Sequence, residues 1–132
     1  MADSLERHRL ILGKVTSGLG TGQRYISLEG YRSQLQQRLG FDPFPGTLNL
    51  RLKDPLFLPA EEAILIKGFI SAGRSYGSCK CYPCKVGARR CAIIRPDRSA
   101  YPLSLIEIIA PVSLRESMNL KDGDVVEVML EG

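Results

Sequence analysis

Between Thr47 and Leu52 the chain alternates without a break: Thr47, Asn49 and Arg51 interleave with Leu48, Leu50 and Leu52. A period of two is the signature of a strand with one face in a core. The leucines then point inward, and a hydroxyl, a carboxamide and a guanidinium share the other face. At a rise of about 3.3 Å per residue, Thr47 and Asn49 stand about 6–7 Å apart at Cα. Two neutral oxygens so placed suit one hard cation that also carries phosphate oxygens and waters, as Mg²⁺ usually does. The same pattern also fits any half-buried strand whose outer face is simply polar.

Around this strand, thirteen glycines and eight prolines cut the apolar sequence into short segments, which predicts a mainly β fold with many turns. A chain of 132 residues forms one domain, residues 1–132, able to bury a core without disulfides or metals. No apolar run approaches the roughly 18 residues of a membrane span, and Met1 to Leu12 lacks the apolar region of a signal peptide. A cytoplasmic location follows as the expectation. Residues 1–9 are mostly polar and expected to fray. His8, the only histidine, sits there, so no Ser-His or Cys-His nucleophile can be assembled elsewhere.

The first strand opens at Leu10-Ile11-Leu12 and runs to about Val15. Gly18-Leu19-Gly20-Thr21-Gly22-Gln23 follows, then the alternating Arg24-Tyr25-Ile26-Ser27-Leu28. The glycine loop is neither a Walker A loop nor a dinucleotide fingerprint, lacking the Gly-Lys-Ser/Thr ending of one and the spacing and helix of the other. Its glycines still permit close approach and a nest of backbone N–H groups for phosphate; a plain hairpin loop is the other reading. Leu28, Tyr31, Leu35 and Leu39 recur at helical spacing before Gly40, which predicts one amphipathic helix with a glycine C-cap.

Beyond the alternating strand, Ile64 to Ile70 reads as a strand, with further strands from about Tyr76 and from Arg90 to Ile94, a β-meander. From Arg74 to Arg98 seven basic residues face a single acidic one, Asp97. Such a patch attracts phosphate, but with only Tyr76 and Tyr82 inside it, it lacks the aromatic interleaving of a single-strand binder. The same meander carries Cys79, Cys81, Cys84 and Cys91. Four thiols could form a tetrahedral Zn²⁺ site. The usual pair of C-x₂-C knuckles is missing, however, and buried free cysteine is a normal small hydrophobe in a cytosolic chain.

Glu107 lies alone in the apolar run Leu103-Ser104-Leu105-Ile106-Glu107-Ile108-Ile109-Ala110-Pro111. Buried without a partner it would have a raised pKa and make a candidate general base; on the open face of an edge strand it would be ordinary. Ser113-Leu114-Arg115-Glu116 has the form of a capping box and predicts a short helix ending near Asn119. Lys121-Asp122-Gly123-Asp124 then turns into a last strand, Val125 to Leu130.

Taken together, the glycine loop, Pro45-Gly46-Thr47-Leu48-Asn49-Leu50, Ile106-Glu107-Ile108-Ile109-Ala110-Pro111 and Leu120-Lys121-Asp122-Gly123-Asp124 resemble the archaeal CTP-dependent riboflavin kinases, in that family's order and spacing. The resemblance implies a small six-stranded cradle-loop β-barrel, with one amphipathic helix and a short C-terminal helix. It implies Mg²⁺-assisted phosphorylation of the riboflavin 5′-hydroxyl by CTP, giving FMN and CDP. Position by position, Gly18, Leu19, Gly20, Thr21, Gly22 and Gln23 would hold the nucleotide together with the backbone of Val112, Ser113, Leu114 and Arg115. Thr47 and Asn49 would ligate Mg²⁺, and Glu107 and Ser99 would contact the flavin. The family usually has threonine at Ser99, so a hydroxyl is kept and a methyl lost. After Gly22 relatives often carry arginine, where this chain has Gln23 followed by Arg24.

Phosphoryl transfer needs positioning and charge neutralisation more than covalent work, which these residues could supply with Glu107 accepting the hydroxyl proton. The expected partners are riboflavin and CTP, without nucleic acid or membrane, on a monomer. Some relatives carry an N-terminal DNA-binding domain, for which residues 1–9 are too short. The alternatives are a non-catalytic basic β-barrel that binds nucleic acid and a flavin-binding homologue without turnover.

Overall fold

The computed structural model describes residues 9–17, 25–97 and 101–131. In chain order the elements are β1 (Arg9–Thr16), helix α1 (Glu29–Leu39), β2 (Leu48–Leu52), a 3-10 turn at Ala60–Glu62, β3 (Ile64–Ile66), β4 (Phe69–Ser71), β5 (Arg74–Tyr76), β6 (Cys79–Val86), β7 (Arg89–Pro96), β8 (Leu105–Ile109), helix α2 (Leu114–Ser117) and β9 (Val125–Leu130). Antiparallel pairing runs β6-β7-β8-β2-β1-β9, and β9 returns to β6 through Cys84 opposite Leu130 and Lys85 opposite Met129. Six strands thus close a barrel, which leaves no free edge in that ring.

The alternating leucines fill it. Leu48, Leu50 and Leu52 meet Ile106 and Ile108 of β8, Ile93 of β7, Tyr82, Cys84 and Val86 of β6, and Val126, Val128 and Leu130 of β9. Each fully buried aliphatic side chain contributes about 1.5–3 kcal/mol. A second core lies outside the barrel wall, where Tyr31, Leu35 and Leu39 of α1 cover Ile66, Cys79, Cys81, Ala92 and Ile109. The helix ends where the spacing predicts. Gly40 takes φ 81° and donates its N–H to the Gln36 carbonyl, a left-handed C-cap that glycine adopts without strain, and Arg90 Nη2 donates to the Leu39 carbonyl at 3.0 Å.

Three local expectations change. Tyr25 to Leu28 is a helical turn rather than a strand: the Leu28 N–H bonds the Tyr25 carbonyl, and Leu28 becomes the N-cap of α1. The stretch Ile64 to Ile70 breaks in two because the backbone of Lys67 is taken by a side chain. The Gln34 carboxamide accepts from Lys67 N at 2.8 Å and donates to Lys67 O at 2.9 Å. The chain then passes through Gly68, where a Cβ would collide with the Tyr76 carbonyl, and β4 and β5 form a separate hairpin turned by Ala72 and Gly73, both at positive φ. Finally, α2 stops at Ser117, short of Asn119, which takes φ 52°. Ser113 caps this helix as its motif predicts, Oγ accepting from Glu116 N at 3.2 Å.

Candidate active site on the outer barrel wall

The β2–β8 register sets Leu48 opposite Ile108, Asn49 opposite Glu107 and Leu50 opposite Ile106. Since the leucines and isoleucines fill the barrel, Asn49 and Glu107 both point outward, with Cβ atoms about 4.5–5.5 Å apart as directly opposed residues are. The row continues through Thr16 of β1, opposite Asn49, and Ile94 of β7, opposite Glu107. This outer face is not an open polar surface as the alternation suggested. Asn49 is 8% and Glu107 5% exposed, the two buried polar side chains among the described residues. Thr47 is half-buried, and only Arg51 is exposed.

Burial decides the chemistry of Glu107. Oε1 has no hydrogen-bond partner among the described residues, and desolvation holds the carboxyl above its ordinary range. A buried carboxylate lacking a partner is costly, and a donor or a cation brought to Oε1 would offset that cost. Beside it, Thr47 Oγ1 donates to Asn49 Oδ1 at 3.0 Å. Adjacent ligands of octahedral Mg²⁺, each about 2.0–2.1 Å from the ion, stand about 3 Å from one another. The spacing of these two oxygens is therefore that of two neighbouring ligands, and the neutral donor set fits a cation whose charge is balanced by phosphates.

Thr47 also opens onto a recess of about 130 Å³ lined by Phe44, Gly46, Leu48, Ile108, Ala110 and residues 112–115. The Phe44 N–H bonds the Ala110 carbonyl at 2.8 Å, which fastens the turn before β2 to the end of β8. A side chain at Gly46 would come within 3.1 Å of the Phe44 ring. Val112, Ser113, Leu114 and Arg115 thus share this recess with Thr47. Gly18, Leu19, Gly20, Thr21, Gly22, Gln23 and Ser99 lie outside the described residues.

Two elements were missed in the sequence. Thr16 falls in the row of Asn49 and Glu107, and extending the alternation of the first strand by one residue would have included it. Asp122 accepts from Ser17 Oγ at 2.6 Å and pairs with Arg115 Nη2 through the same Oδ1; no local pattern signals that contact.

The cysteines do not converge. Cys79 and Cys81 belong to the helix-side core, Cys84 and Cys91 to the barrel interior. Burial raises the Cys84 thiol and pushes that of Cys91 up to about 11, while a hydrogen bond to Cys79, together with burial, raises Cys81. No three His, Cys, Asp or Glu side chains cluster among the described residues. Much of the basic stretch is engaged within the protein. Lys80 pairs with Asp97 at 3.0 Å, Arg95 donates to the Leu56 and Leu103 carbonyls, and Arg74 lies over the Tyr76 ring. No helix among the described residues is long and apolar enough to cross a membrane.

Residues 15–130 match the family described as CTP-dep_RFKase, domain of unknown function DUF120. The chain is 62% identical over 120 residues to a protein of Methanocella arvoryzae, 49% over 124 to one of Pyrobaculum aerophilum and 48% over 123 to one of Archaeoglobus fulgidus, each named riboflavin kinase. These alignments cover 90, 89 and 89% of the chain but only 56, 59 and 53% of the relatives. The chain thus spans little more than half the length of these relatives.

Proposed function

Since the chain belongs to the CTP-dependent riboflavin kinase family, we propose that it transfers the γ-phosphoryl group of CTP to the 5′-hydroxyl of riboflavin, giving FMN and CDP. The observation that carries this reading is the buried Oε1 of Glu107, without a hydrogen-bond partner among the described residues, beside the Thr47–Asn49 oxygen pair. A carboxylate kept basic by desolvation and aimed at a site for polar ligands is suited to take a hydroxyl proton.

In the reaction the 5′-oxygen forms a bond to the γ-phosphorus as the bond from that phosphorus to the β,γ-bridging oxygen breaks. CDP leaves with that electron pair, and the hydroxyl proton passes to Glu107. Ser99 is the second flavin contact. The 112–115 backbone and Gly18, Leu19, Gly20, Thr21, Gly22 and Gln23 hold the nucleotide, so the recess beside Thr47 is assigned to its phosphate side. Thr47 Oγ1 and Asn49 Oδ1 would hold Mg²⁺, which supplies charge neutralisation for the phosphates. Positioning and charge compensation then account for the catalysis, without a nucleophilic side chain.

The test is to incubate the protein with riboflavin, Mg²⁺ and each of CTP, UTP, ATP and GTP in turn, and to separate flavins by chromatography. FMN is expected with CTP. FMN formation with ATP at least as fast as with CTP would overturn the donor assignment, and no FMN with any triphosphate would overturn the activity.

A further inference from the structure

We infer that Asp122 is a positioning residue for the nucleotide, holding Ser17, just past the end of β1, and Arg115 of α2 at a fixed spacing beside the recess that Arg115 lines. The inference rests on the kinase reading above. Ser17 is the residue immediately before the glycine loop, and Arg115 lines the recess beside Thr47. Both reach a single atom, Oδ1 of Asp122: Ser17 Oγ donates to it at 2.6 Å, and Arg115 Nη2 donates as the cation of an ion pair. Segments about a hundred residues apart in sequence are thereby joined through one oxygen.

The fold does not need that oxygen. The turn carrying Asp122 is already fixed by backbone bonds from Gly123 N to Val15 O at 2.8 Å, from Val15 N to Asp124 O at 2.9 Å and from Leu120 N to Arg115 O at 2.8 Å. Asp124 Oδ2 closes the turn by accepting from Lys121 N at 2.8 Å. The Asp122 side chain is more than half exposed, where an ion pair contributes little to stability. A lone carboxylate beside a polyphosphate would also repel it. Here Arg115 offsets that charge and is itself oriented, so that less side-chain freedom is lost when the nucleotide arrives. The bonds from Ser17 and Arg115 likewise hold the Asp122 carboxyl below the usual carboxylate range, which keeps it ionised as this role requires.

The experiment measures the nucleotide Kd by calorimetry with CTP alone, and KM and kcat in the FMN assay. The proteins are the wild type, Asp122→Ala, Asp122→Asn, Ser17→Ala, Arg115→Met and the Ser17→Ala/Arg115→Met pair, the last three made with and without Asp122→Ala. Asp122→Ala is expected to raise Kd and KM for CTP about tenfold, the size typical of coupling within one hydrogen-bond network. The riboflavin KM should hold, and the effect should fall on KM rather than kcat. Asp122→Asn, which keeps an acceptor oxygen, should recover most of the loss. The Ser17 and Arg115 effects should be non-additive with Asp122 present and additive without it. A merely structural role would leave that coupling unchanged. Wild type that binds and turns over CTP, with Asp122→Ala equal to it in Kd or with additive effects throughout, overturns this inference alone. Wild type that binds no nucleotide overturns the kinase reading as well.

Discussion

Asn49 and Glu107 stand directly opposite each other on β2 and β8, on the outward face of a closed barrel, and both are nevertheless buried. An outward position keeps them from competing with the leucine and isoleucine core. Burial supplies the low local dielectric that makes an unpaired carboxylate basic and a neutral oxygen a useful ligand. The two residues share one environment, and under the proposed function they divide two chemistries, proton acceptance at Glu107 and metal support at Asn49.

Glu107→Gln should abolish most turnover and stabilise the ligand-free protein. Removing a general base costs about 10²–10⁴-fold in kcat. The stability effect has a definite sign. The folded carboxyl titrates above the ordinary glutamate value of 4.5 because of desolvation, so between that value and its raised one the folded state holds more protons than the unfolded state. Stability then falls as pH rises through this window. Thermal melts of wild type and Glu107→Gln should diverge above it, with the glutamine variant higher, and converge at lower pH. Wild type more stable than the variant at pH 8 would contradict the burial argument. The kcat of the wild type should conversely rise with pH as Glu107 ionises.

The strand alternation at Leu48, Leu50 and Leu52, the helical spacing of Tyr31, Leu35 and Leu39, the Gly40 cap and the capping box at Ser113 were legible because each is a short-range pattern with one dominant physical cause. The burial of Asn49 was not, because period two says which face a residue takes and nothing about what covers that face. The break at Lys67 was illegible for a similar reason: it depends on the Gln34 carboxamide reaching across from α1. In the site, Thr47, Asn49 and Glu107 could be named singly from local pattern and family resemblance. Asp122 could not, since its partners Ser17 and Arg115 meet it only in the folded barrel.

The cysteines should be dispensable for turnover. Replacing Cys79 and Cys91 together by alanine removes one buried sulfur from each core and should cost about 1 kcal/mol per site, with kcat within a few-fold of wild type at a temperature below the melt. Chelator should leave the melting temperature unchanged, as thiols divided between two cores do not share an ion. Stoichiometric Zn²⁺ in the purified protein, or unfolding on chelation, would refute this.

Gly30 should report on how firmly the β4–β5 hairpin is docked. A Cβ there would lie 2.5–2.6 Å from atoms of the Phe69 ring, which is itself stacked on Tyr76 at 5.1 Å and met edge-on by Tyr31 at 4.7 Å. On helix propensity alone Gly30→Ala would stabilise by about 1 kcal/mol. A ring held on both sides cannot give way, and overpacking costs about 1–3 kcal/mol, so the net change should be a lower melting temperature. In a Phe69→Leu background the obstacle is smaller, and the same substitution should be neutral or stabilising.

Thr47→Val and Asn49→Leu test the proposed metal pair. Valine keeps the β-branched shape of threonine and replaces the hydroxyl by a methyl; leucine keeps roughly the volume of asparagine and removes its oxygen. Each change breaks the 3.0 Å bond between the two side chains. Asn49→Leu leaves the half-buried Thr47 hydroxyl within reach of water and should stay within about 1 kcal/mol of wild-type stability, whereas Thr47→Val leaves the buried Asn49 Oδ1 without that donor and should cost about 1–3 kcal/mol. Activity should fall much further. Removing a group that stabilises developing charge typically costs about 10²–10³-fold in kcat, and raising Mg²⁺ should recover part of it by refilling a weakened site. Mn²⁺ binding followed by electron paramagnetic resonance in the presence of CDP should weaken in parallel, which separates ligand loss from other causes of low turnover. Leu48→Asp, one residue away but inside the barrel, should instead unfold the protein by burying a charge. If Thr47→Val and Asn49→Leu kept full activity at limiting Mg²⁺ with unchanged Mn²⁺ affinity, the metal would have to be held elsewhere.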